Sequence, residues 1–352
     1  MPKTEKTEQN IALYRKYRPE TFEDVIGQDH IVKAIEGAFE SGKVAHAYLL
    51  SGPRGTGKTT IARIIARTLG SSVNDIYEMD AASNRKIEDA RDIRESVRTM
   101  PFDSKYKVYI LDEVHMLTKE AWNALLKTIE EPPAHVIFIL ATTELEKVPE
   151  TIVSRCQTFI FKKPTDAILA EVITRVAKKE GYTLAEGGAE LIALLASGAF
   201  RDALGTLQKV ISYSKDKKIT LKEIESVTGA PEASLVHSFL DALASNDIEK
   251  GYTAIRTASE QNIDMSLFTK MIIVKLRYAL MLRYAPQQSS HLEKSLSAQE
   301  LSFLTNLVAS KPSTLSSHAL TVLLEAYQRT RTAVVSELPL ELALVQIQNG
   351  EK

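Results

Sequence analysis

Residues 52–59 read Gly52-Pro53-Arg54-Gly55-Thr56-Gly57-Lys58-Thr59, the phosphate-loop pattern of a glycine, four variable residues, then glycine, lysine and serine or threonine. Each residue type has a chemical reason to be there. Glycines let successive backbone N–H groups turn inward around the phosphates, and the following helix adds the dipole of its N-terminus. Lys58 is expected to bridge the β- and γ-phosphates, and the Thr59 hydroxyl to ligate Mg²⁺. Thr60 completes the loop's entry into the helix. A chance match occurs in about one chain in a hundred of this length at average residue frequencies. Here a strand pattern precedes the loop at Tyr48–Leu50 and a helix pattern follows it at Thr60–Leu69, so chance is a poor explanation.

A second group lies downstream, where the apolar run Val108-Tyr109-Ile110-Leu111 ends in Asp112-Glu113. An acidic pair after a strand is, on its own, a solvated loop. After a phosphate loop it is chemistry for nucleotide hydrolysis. Asp112 is expected to hold the magnesium shell, and Glu113 to orient and deprotonate a water that attacks the γ-phosphate. His115 is read as structural, with no catalytic role. Cys156, taken alone, is read as a buried free thiol.

The elements that must position these groups follow from the hydrophobic pattern. Short apolar runs at Tyr48–Ser51, Ile76–Met79, Val108–Leu111, Val136–Leu140 and Thr158–Phe161 alternate with amphipathic stretches. Runs of that length, several of them β-branched and most bounded by turn residues, suit buried strands of a parallel sheet. Strands alternating with helices predict an α/β domain: a phosphate-loop fold with a five-stranded parallel sheet flanked by helices. After Pro164 the strand signal stops. Residues 165–228 carry helical periodicity in three or four pieces broken at Gly181, Gly187-Gly188 and Gly198, and a second helical region follows Pro231. Its clearest segment is Met265–Leu282, with Leu267, Met271, Ile272, Val274, Leu276, Leu280 and Met281 on a broad apolar face; Pro286-Gln-Gln-Ser-Ser and Lys311-Pro-Ser mark loops. The expected domains are a disordered arm at 1–10, the α/β domain at 11–163, a small helical domain at 164–228 and an all-helical domain at 229–352.

Composition narrows the function classes. The chain has 352 residues, with 44 Lys and Arg against 45 Asp and Glu, which excludes a strongly basic, histone-like nucleic-acid binder. One cysteine excludes a disulfide framework and any cysteine-rich zinc site carried by this chain alone. No uninterrupted apolar run approaches the ~18 residues of a membrane span, and the segment MPKTEKTEQN lacks the apolar core of a secretory signal. A cytoplasmic multidomain protein is the expectation.

Several landmarks taken together resemble one family: Leu13-Tyr-Arg-Lys-Tyr-Arg-Pro19 leading into Phe22, Val25 and Ile26-Gly27-Gln28, then SGPRGTGKTT, the DEVH sequence, ALLKTIEEPPAHVIFILATTE, and Ser154-Arg155-Cys156. These look like the gamma/tau ATPase subunits of the bacterial DNA polymerase III clamp loader, within the wider AAA+ group. The resemblance is strong over residues 11–228 and rests on length and helical character beyond them. It implies an ATPase acting as part of the polymerase III holoenzyme, in a ring-like pentamer that opens a sliding clamp and loads it on primer-template DNA. The implied partners are delta, delta-prime and further copies of the same subunit. The helices of 229–352 would form a collar holding subunits together, or a self-contained bundle.

Roles for further residues come from the same resemblance. Thr143 falls where the family has its sensor 1, a polar group facing the γ-phosphate or attacking water. Arg155 matches the arginine finger acting on ATP bound to a neighbouring subunit, where it would stabilise transition-state charge; otherwise it makes a surface ion pair. Arg201 matches sensor 2, a lid arginine reaching the γ-phosphate of its own subunit; otherwise it pairs with Asp202 at a helix start. Tyr14, Arg18, Val25 and Ile26 resemble the segment lining the adenine site, or they pack that segment onto the domain. Thr118 and Lys119 at a helix start are candidates for DNA phosphate contact, or simply solvated.

Two departures from the family matter. Most relatives insert a four-cysteine zinc module after the phosphate-loop helix, whereas here Leu69-Gly-Ser-Ser-Val-Asn-Asp passes straight into Ile76–Met79, so no zinc is expected. The chain also ends at Lys352 without the long extension of tau relatives, and contacts made through it are not expected. The rival readings are another AAA+ ATPase acting on DNA, such as a replication factor C small subunit or a branch-migration motor, and a non-hydrolysing stator of the same assembly. A stator would be expected to carry a degraded phosphate loop, and Gly57-Lys58-Thr59 is intact.

Overall fold

The computed structural model describes residues 11–288, 296–309 and 313–349. The arm expected at 1–10 lies outside the described residues, as do Ser289-Ser290 and Lys311-Pro312 of the two expected loops. The chain divides into two compact units. One comprises the residues up to Leu169 together with Ala196–Gly205; the other comprises Ala170–Leu195 and the residues from Thr206 onward.

The first unit alternates strands and helices: α1 (Leu13–Lys16), α2 (Asp29–Glu40), β1 (Ala47–Ser51), α3 (Lys58–Thr68), β2 (Ile76–Asp80), α4 (Ile87–Ser96), β3 (Lys107–Asp112), α5 (Lys119–Glu130), β4 (Val136–Thr142), α6 (Glu150–Val153) and β5 (Gln157–Ile160). The five strands form one sheet in the order β2-β3-β4-β1-β5, every pairing parallel. Period-two alternation sends side chains of the three inner strands to two separate cores. Ala47, Leu49, Tyr109, Leu111, Phe138 and Leu140 face one core, where Ile93 of α4 and Trp122, Leu125 and Ile129 of α5 cover them. Tyr48, Leu50, Val108, Ile110, Ile137 and Ile139 face the other, under Ile31 and Ile35 of α2 and Ile61 and Ile65 of α3. Burial on both faces is why these strands read as continuous apolar runs. Each buried Leu or Ile contributes about 1.5–3 kcal/mol, so Leu125→Ala in the α5 face would cost about 2–5 kcal/mol.

The two outer strands are less buried than their sequence suggests. Tyr77 of β2 is 41% exposed and Ile160 of β5 is 63% exposed. Both strands are sheet edges, and only one neighbour covers each. Edge strand β2 carries Glu78, which accepts two hydrogen bonds from Arg63 of α3, each 2.8 Å, tying the phosphate-loop helix to the sheet.

The second unit is helical: α7 (Asp166–Lys179), α8 (Gly188–Ala196), α9 (Phe200–Tyr213), α10 (Leu221–Thr228), α11 (Ala233–Ser245), α12 (Ile248–Glu260), α13 (Met265–Tyr284), α14 (Ala298–Ala309), α15 (Ser317–Thr330) and α16 (Leu338–Asn349), with the ends of α7, α8 and α9 belonging to the first unit. The expectation that strands stop after Pro164 needs one correction. Thr183–Leu184 (β6) and Lys218–Ile219 (β7) pair in parallel. Two residues per strand are too few to leave a period in the sequence. Helix α13 buries Met271, Ile272 and Leu276, while Leu267 and Leu280 are partly buried at the core's rim. The same helix also buries Lys275, whose ammonium pairs with Glu300 of α14 and lies 3.3 Å from Nε2 of His237 in α11. No helix among the described residues is long and apolar enough to cross a membrane.

Candidate functional site

The phosphate loop joins the C-terminal end of β1 to α3, at the end of a parallel sheet where ligands of such folds bind. Two of its glycines are dictated by space. A Cβ on Gly52 would stand 2.6 Å from the carbonyl oxygen of Phe161, and one on Gly55 would stand 2.7 Å from Cβ of Ala199. The second close approach brings Phe200 N–H to within 3.0 Å of Gly55 O, so the loop bonds directly to the start of α9, the turn that carries Arg201. Thr56 donates to Pro53 O at 2.9 Å, closing the loop on itself. Pro53 and Arg54 are exposed at its tip, and Thr60 is half-buried in the first turn of α3.

Lys58 is 6% exposed. Its Nζ donates to Gly52 O at 2.8 Å and Pro53 O at 2.9 Å, so its hydrogen bonds are to neutral carbonyls. Burial lowers its pKa, partly offset by the nearby charges of Glu113 and Asp112. A buried cation with only neutral hydrogen-bond partners, at a helix N-terminus, is matched to an incoming anion. Thr59 Oγ1 donates to Asp112 Oδ2 at 2.6 Å, which brings together the two oxygens expected to share a magnesium shell. That pair of hard oxygen donors beside a lysine fits Mg²⁺ carried by a polyphosphate.

Beside this pair opens a cavity of about 530 Å³. Its lining includes Tyr14, Arg18, Thr59, Arg63, Asp112 and Arg201, and in all it presents five arginines against three carboxylates. The excess of positive charge suits a polyanion. The Arg201 guanidinium stands 5.6 Å over the Tyr14 ring, so the two are brought together at this wall. Burial and the neighbouring Arg63 lower the pKa of Arg18. Val25 packs, partly buried, against the core beneath α2, and Ile26 is half-buried; neither lines the cavity.

Glu113 follows β3 in a left-handed conformation, φ 51°. A non-glycine residue held there stores strain, a pattern that clusters at functional sites. Thr143 donates to Glu113 Oε2 at 3.2 Å. His115, with its side chain 8% exposed, places Nδ1 3.5 Å from the same oxygen and 3.2 Å from Thr142 Oγ1, and Nε2 3.2 Å from Glu144 Oε1. Sequence reasoning missed this constellation. The one signal was the two-residue spacing of His115 from Glu113; its other partners arrive from the end of β4, about thirty residues away, and only the fold supplies them.

The remaining expected site residues stand apart from the cavity. Arg155 pairs with Glu130 at 3.1 Å, donates to Thr151 O at 2.8 Å, and is 41% exposed. Thr118 caps α5 by accepting from Ala121 N–H at 3.2 Å, and Lys119 beside it is exposed. Cys156 is half-buried rather than fully buried, and burial pushes its thiol up to about 11.

Comparisons with known proteins agree on one group. The family described as "DNA polymerase III, delta subunit" matches residues 71–165, and that described as "Magnesium chelatase, subunit ChlI" matches residues 21–110. DNA polymerase III subunit tau of Bacillus subtilis is 40% identical over 304 residues, covering 80% of this chain and 54% of that protein. DNA polymerase III subunit gamma of Buchnera aphidicola subsp. Schizaphis graminum is 42% identical over 249 residues, covering 65% of this chain and 68% of that one. The gamma subunit of the Baizongia pistaciae strain is 37% identical over 295 residues, 78% of this chain and 80% of that one. The chain spans about half the length of the first tau and gamma/tau relatives, 54% and 41%. Among solved structures, the Thermotoga maritima RuvB Holliday junction branch migration motor superposes with a TM-score of 0.52 at 25% identity, over 64% of this chain and 79% of that one.

Proposed function

The chain belongs to the DNA polymerase III gamma/tau family, and we propose that it is the ATP-hydrolysing motor subunit of a replicative clamp loader. The observation that carries this is the phosphate loop: a buried Lys58 whose hydrogen bonds, among the described residues, are to carbonyls, with Thr59 and Asp112 joined beside it. An intact loop of this kind argues against a non-hydrolysing stator. The likeness to RuvB is one of fold; the sequence relatives at 35–42% identity are gamma, tau or gamma/tau subunits.

In this reading, backbone N–H groups of Gly52 and of Arg54 to Thr60 cradle the triphosphate of ATP, with Pro53 and Arg54 at the loop's tip. Lys58 exchanges its two carbonyls for phosphate oxygens. Thr59 and Asp112 would hold Mg²⁺, which when bound supplies charge neutralisation at the β- and γ-phosphates. Tyr14 and Arg18 bound the adenine side from the cavity wall, and Val25 and Ile26, which do not line the cavity, back the same segment. Glu113 takes the proton of the attacking water, Thr143 orients that water, and Arg201 senses the γ-phosphate from the start of α9. Because Arg201 rides on the turn bonded to Gly55, nucleotide in the loop and the position of α9 are linked.

Arg155 lies outside this cavity and is exposed, which suits a finger that reaches ATP on the next subunit rather than its own. We assign 11–163 as the motor, 164–228 as the lid and 229–352 as the collar of a cytoplasmic assembly with delta, delta-prime and further copies of this subunit. Hydrolysis would release the sliding clamp on primer-template DNA, whose backbone meets the start of α5 at Thr118 and Lys119. The test is ATP turnover by the reconstituted assembly with and without clamp and primed DNA. Stimulation by both is expected, and indifference to both would refute the clamp-loading role.

A further inference from the structure

We infer that His115 is a positioning residue for Glu113, an inference that rests on Glu113 being the base of ATP hydrolysis. The ring lies between two carboxylates delivered by different strands, Glu113 after β3 and Glu144 after β4, and its side chain is 8% exposed. Thr142 Oγ1 donates its one proton to Glu144 O at 3.2 Å and accepts from Glu144 N–H at 3.0 Å. The same hydroxyl oxygen lies 3.2 Å from Nδ1 of His115. On the other side Nε2 faces Glu144 Oε1, which as a carboxylate oxygen only accepts. Lys147, 2.7 Å from Glu144 Oε2, anchors the far carboxylate.

The consequence falls on Glu113. Its backbone is pinned, with its N–H on Asp112 Oδ1 at 3.0 Å and its carbonyl accepting from Met116 N–H at 2.9 Å. Its side chain, launched from the strained left-handed turn, is met among the described residues through Oε2, by a hydrogen bond from Thr143 at 3.2 Å and by the His115 ring at 3.5 Å. Both contacts fall on Oε2 and leave Oε1 as the oxygen that meets a water. A base whose position is set to within a fraction of an ångström loses rate steeply when that support goes, with no loss of substrate binding.

The experiment compares the full chain, in its assembly, with His115→Leu, His115→Asn and His115→Gln, measuring kcat, KM, ATP affinity and the thermal midpoint. His115→Leu is expected to lower kcat about tenfold or more while KM and ATP affinity stay within about twofold of wild type. His115→Asn places an amide N–H where Nδ1 stands and is expected to recover most of kcat. His115→Gln reaches towards Glu144 instead and recovers less. An unchanged kcat in His115→Leu overturns the inference. So does a parallel fall of kcat, ATP affinity and thermal midpoint that His115→Asn does not relieve, which would mark a purely structural ring. A wild-type chain that binds ATP without hydrolysing it would overturn the role of Glu113 and this inference with it, whereas a hydrolysing wild type with an indifferent His115→Leu overturns this inference alone.

Discussion

Lys58 and Lys275 are both buried lysines, 6% and 9% exposed, one in each compact unit. Their surroundings are opposite. Lys58 stands at a helix N-terminus and bonds two neutral carbonyls. Lys275 stands mid-helix in α13, paired with the Glu300 carboxylate, with His237 beside both and the His237 ring stacked 3.7 Å from Phe303. Burial lowers the pKa of both lysines; Glu300 pulls Lys275 back towards its charged form. Burial opposes the charge of Glu300 as well, but the hydrogen bond from His237 and the charge of Lys275 outweigh it, leaving its carboxyl below the ordinary range. One lysine is therefore a charge waiting for an anion, and the other has already been given one. An ion pair satisfied by its own chain specifies structure, and a buried cation that hydrogen-bonds dipoles, with carboxylates near but not bonded to it, suits a ligand.

The contrast predicts crossed phenotypes. Lys58→Met should weaken ATP binding by about a hundredfold or more, because a charge-assisted contact to phosphate is lost in a buried setting. Unfolding free energy should change by no more than about 1 kcal/mol, since water can reach the two carbonyls from the cavity. Titration with a fluorescent ATP analogue beside urea unfolding measures both. Retained ATP affinity in Lys58→Met would break the comparison at its stronger end.

Arg155 extends the comparison to a charge that is paired yet exposed, held by Glu130 at the surface. Such a pair contributes about 0–1 kcal/mol to stability, so the arginine is cheaply released to another partner. Arg155→Ala should remove about 10³-fold or more of the DNA-stimulated hydrolysis, the magnitude of an arginine finger, while ATP binding by the isolated chain stays within about twofold. Equal loss of basal binding would place Arg155 in its own subunit's site instead.

Much of this was legible in the sequence, for identifiable reasons. The phosphate loop and Asp112-Glu113 are local patterns whose chemistry depends on a strand before and a helix after, and periodicity supplied both. The inner strands were legible because two covered faces leave an unbroken apolar run. Edge strands β2 and β5 were read as more buried than they are, because a run such as Ile76–Met79 does not announce that one flank lacks a neighbour. The two-residue pairing of β6 with β7 is too short for any period. Lys275 was hidden in a helix whose expected face met the core at Leu267, Met271, Ile272, Leu276 and Leu280 but not at Val274 or Met281, since its partners lie 38 residues before it and 25 after it. His115 was judged structural for the same cause: Thr142 and Glu144 are near it only once β4 lies beside β3.

Lys275→Met tests the other end. Leaving Glu300 buried without its ammonium should cost its unit about 3–5 kcal/mol, with ATP affinity unchanged. The double variant Lys275→Met, Glu300→Leu should recover most of that loss, because an apolar pair of similar volume replaces both charges. Denaturant unfolding followed by circular dichroism reads both. A single variant as stable as wild type would mean that the pair is not what holds α13 to α14.

Whether the contrast is one between units or between satisfied and unsatisfied charges is decided by Asp75, a satisfied charge in the same unit as Lys58. Its carboxylate has no exposed surface and accepts N–H bonds from Phe102, Asp103 and Ser104. Burial raises its pKa, but those bonds, with help from Ser72, outweigh burial and bring it down to about 2 from 3.8. Because the folded value lies below the unfolded one, the stabilisation is fully present above about pH 4 and is lost as pH falls through about 2. Asp75→Asn keeps the shape but donates where it should accept, so it should cost about 1–3 kcal/mol at neutral pH and flatten the acid limb of the stability curve between pH 4 and 2. ATP affinity should stay within about twofold. If Asp75→Asn instead weakened ATP binding as Lys58→Met does, membership of the nucleotide-binding unit, and not the partnering of the charge, would be what separates the two lysines.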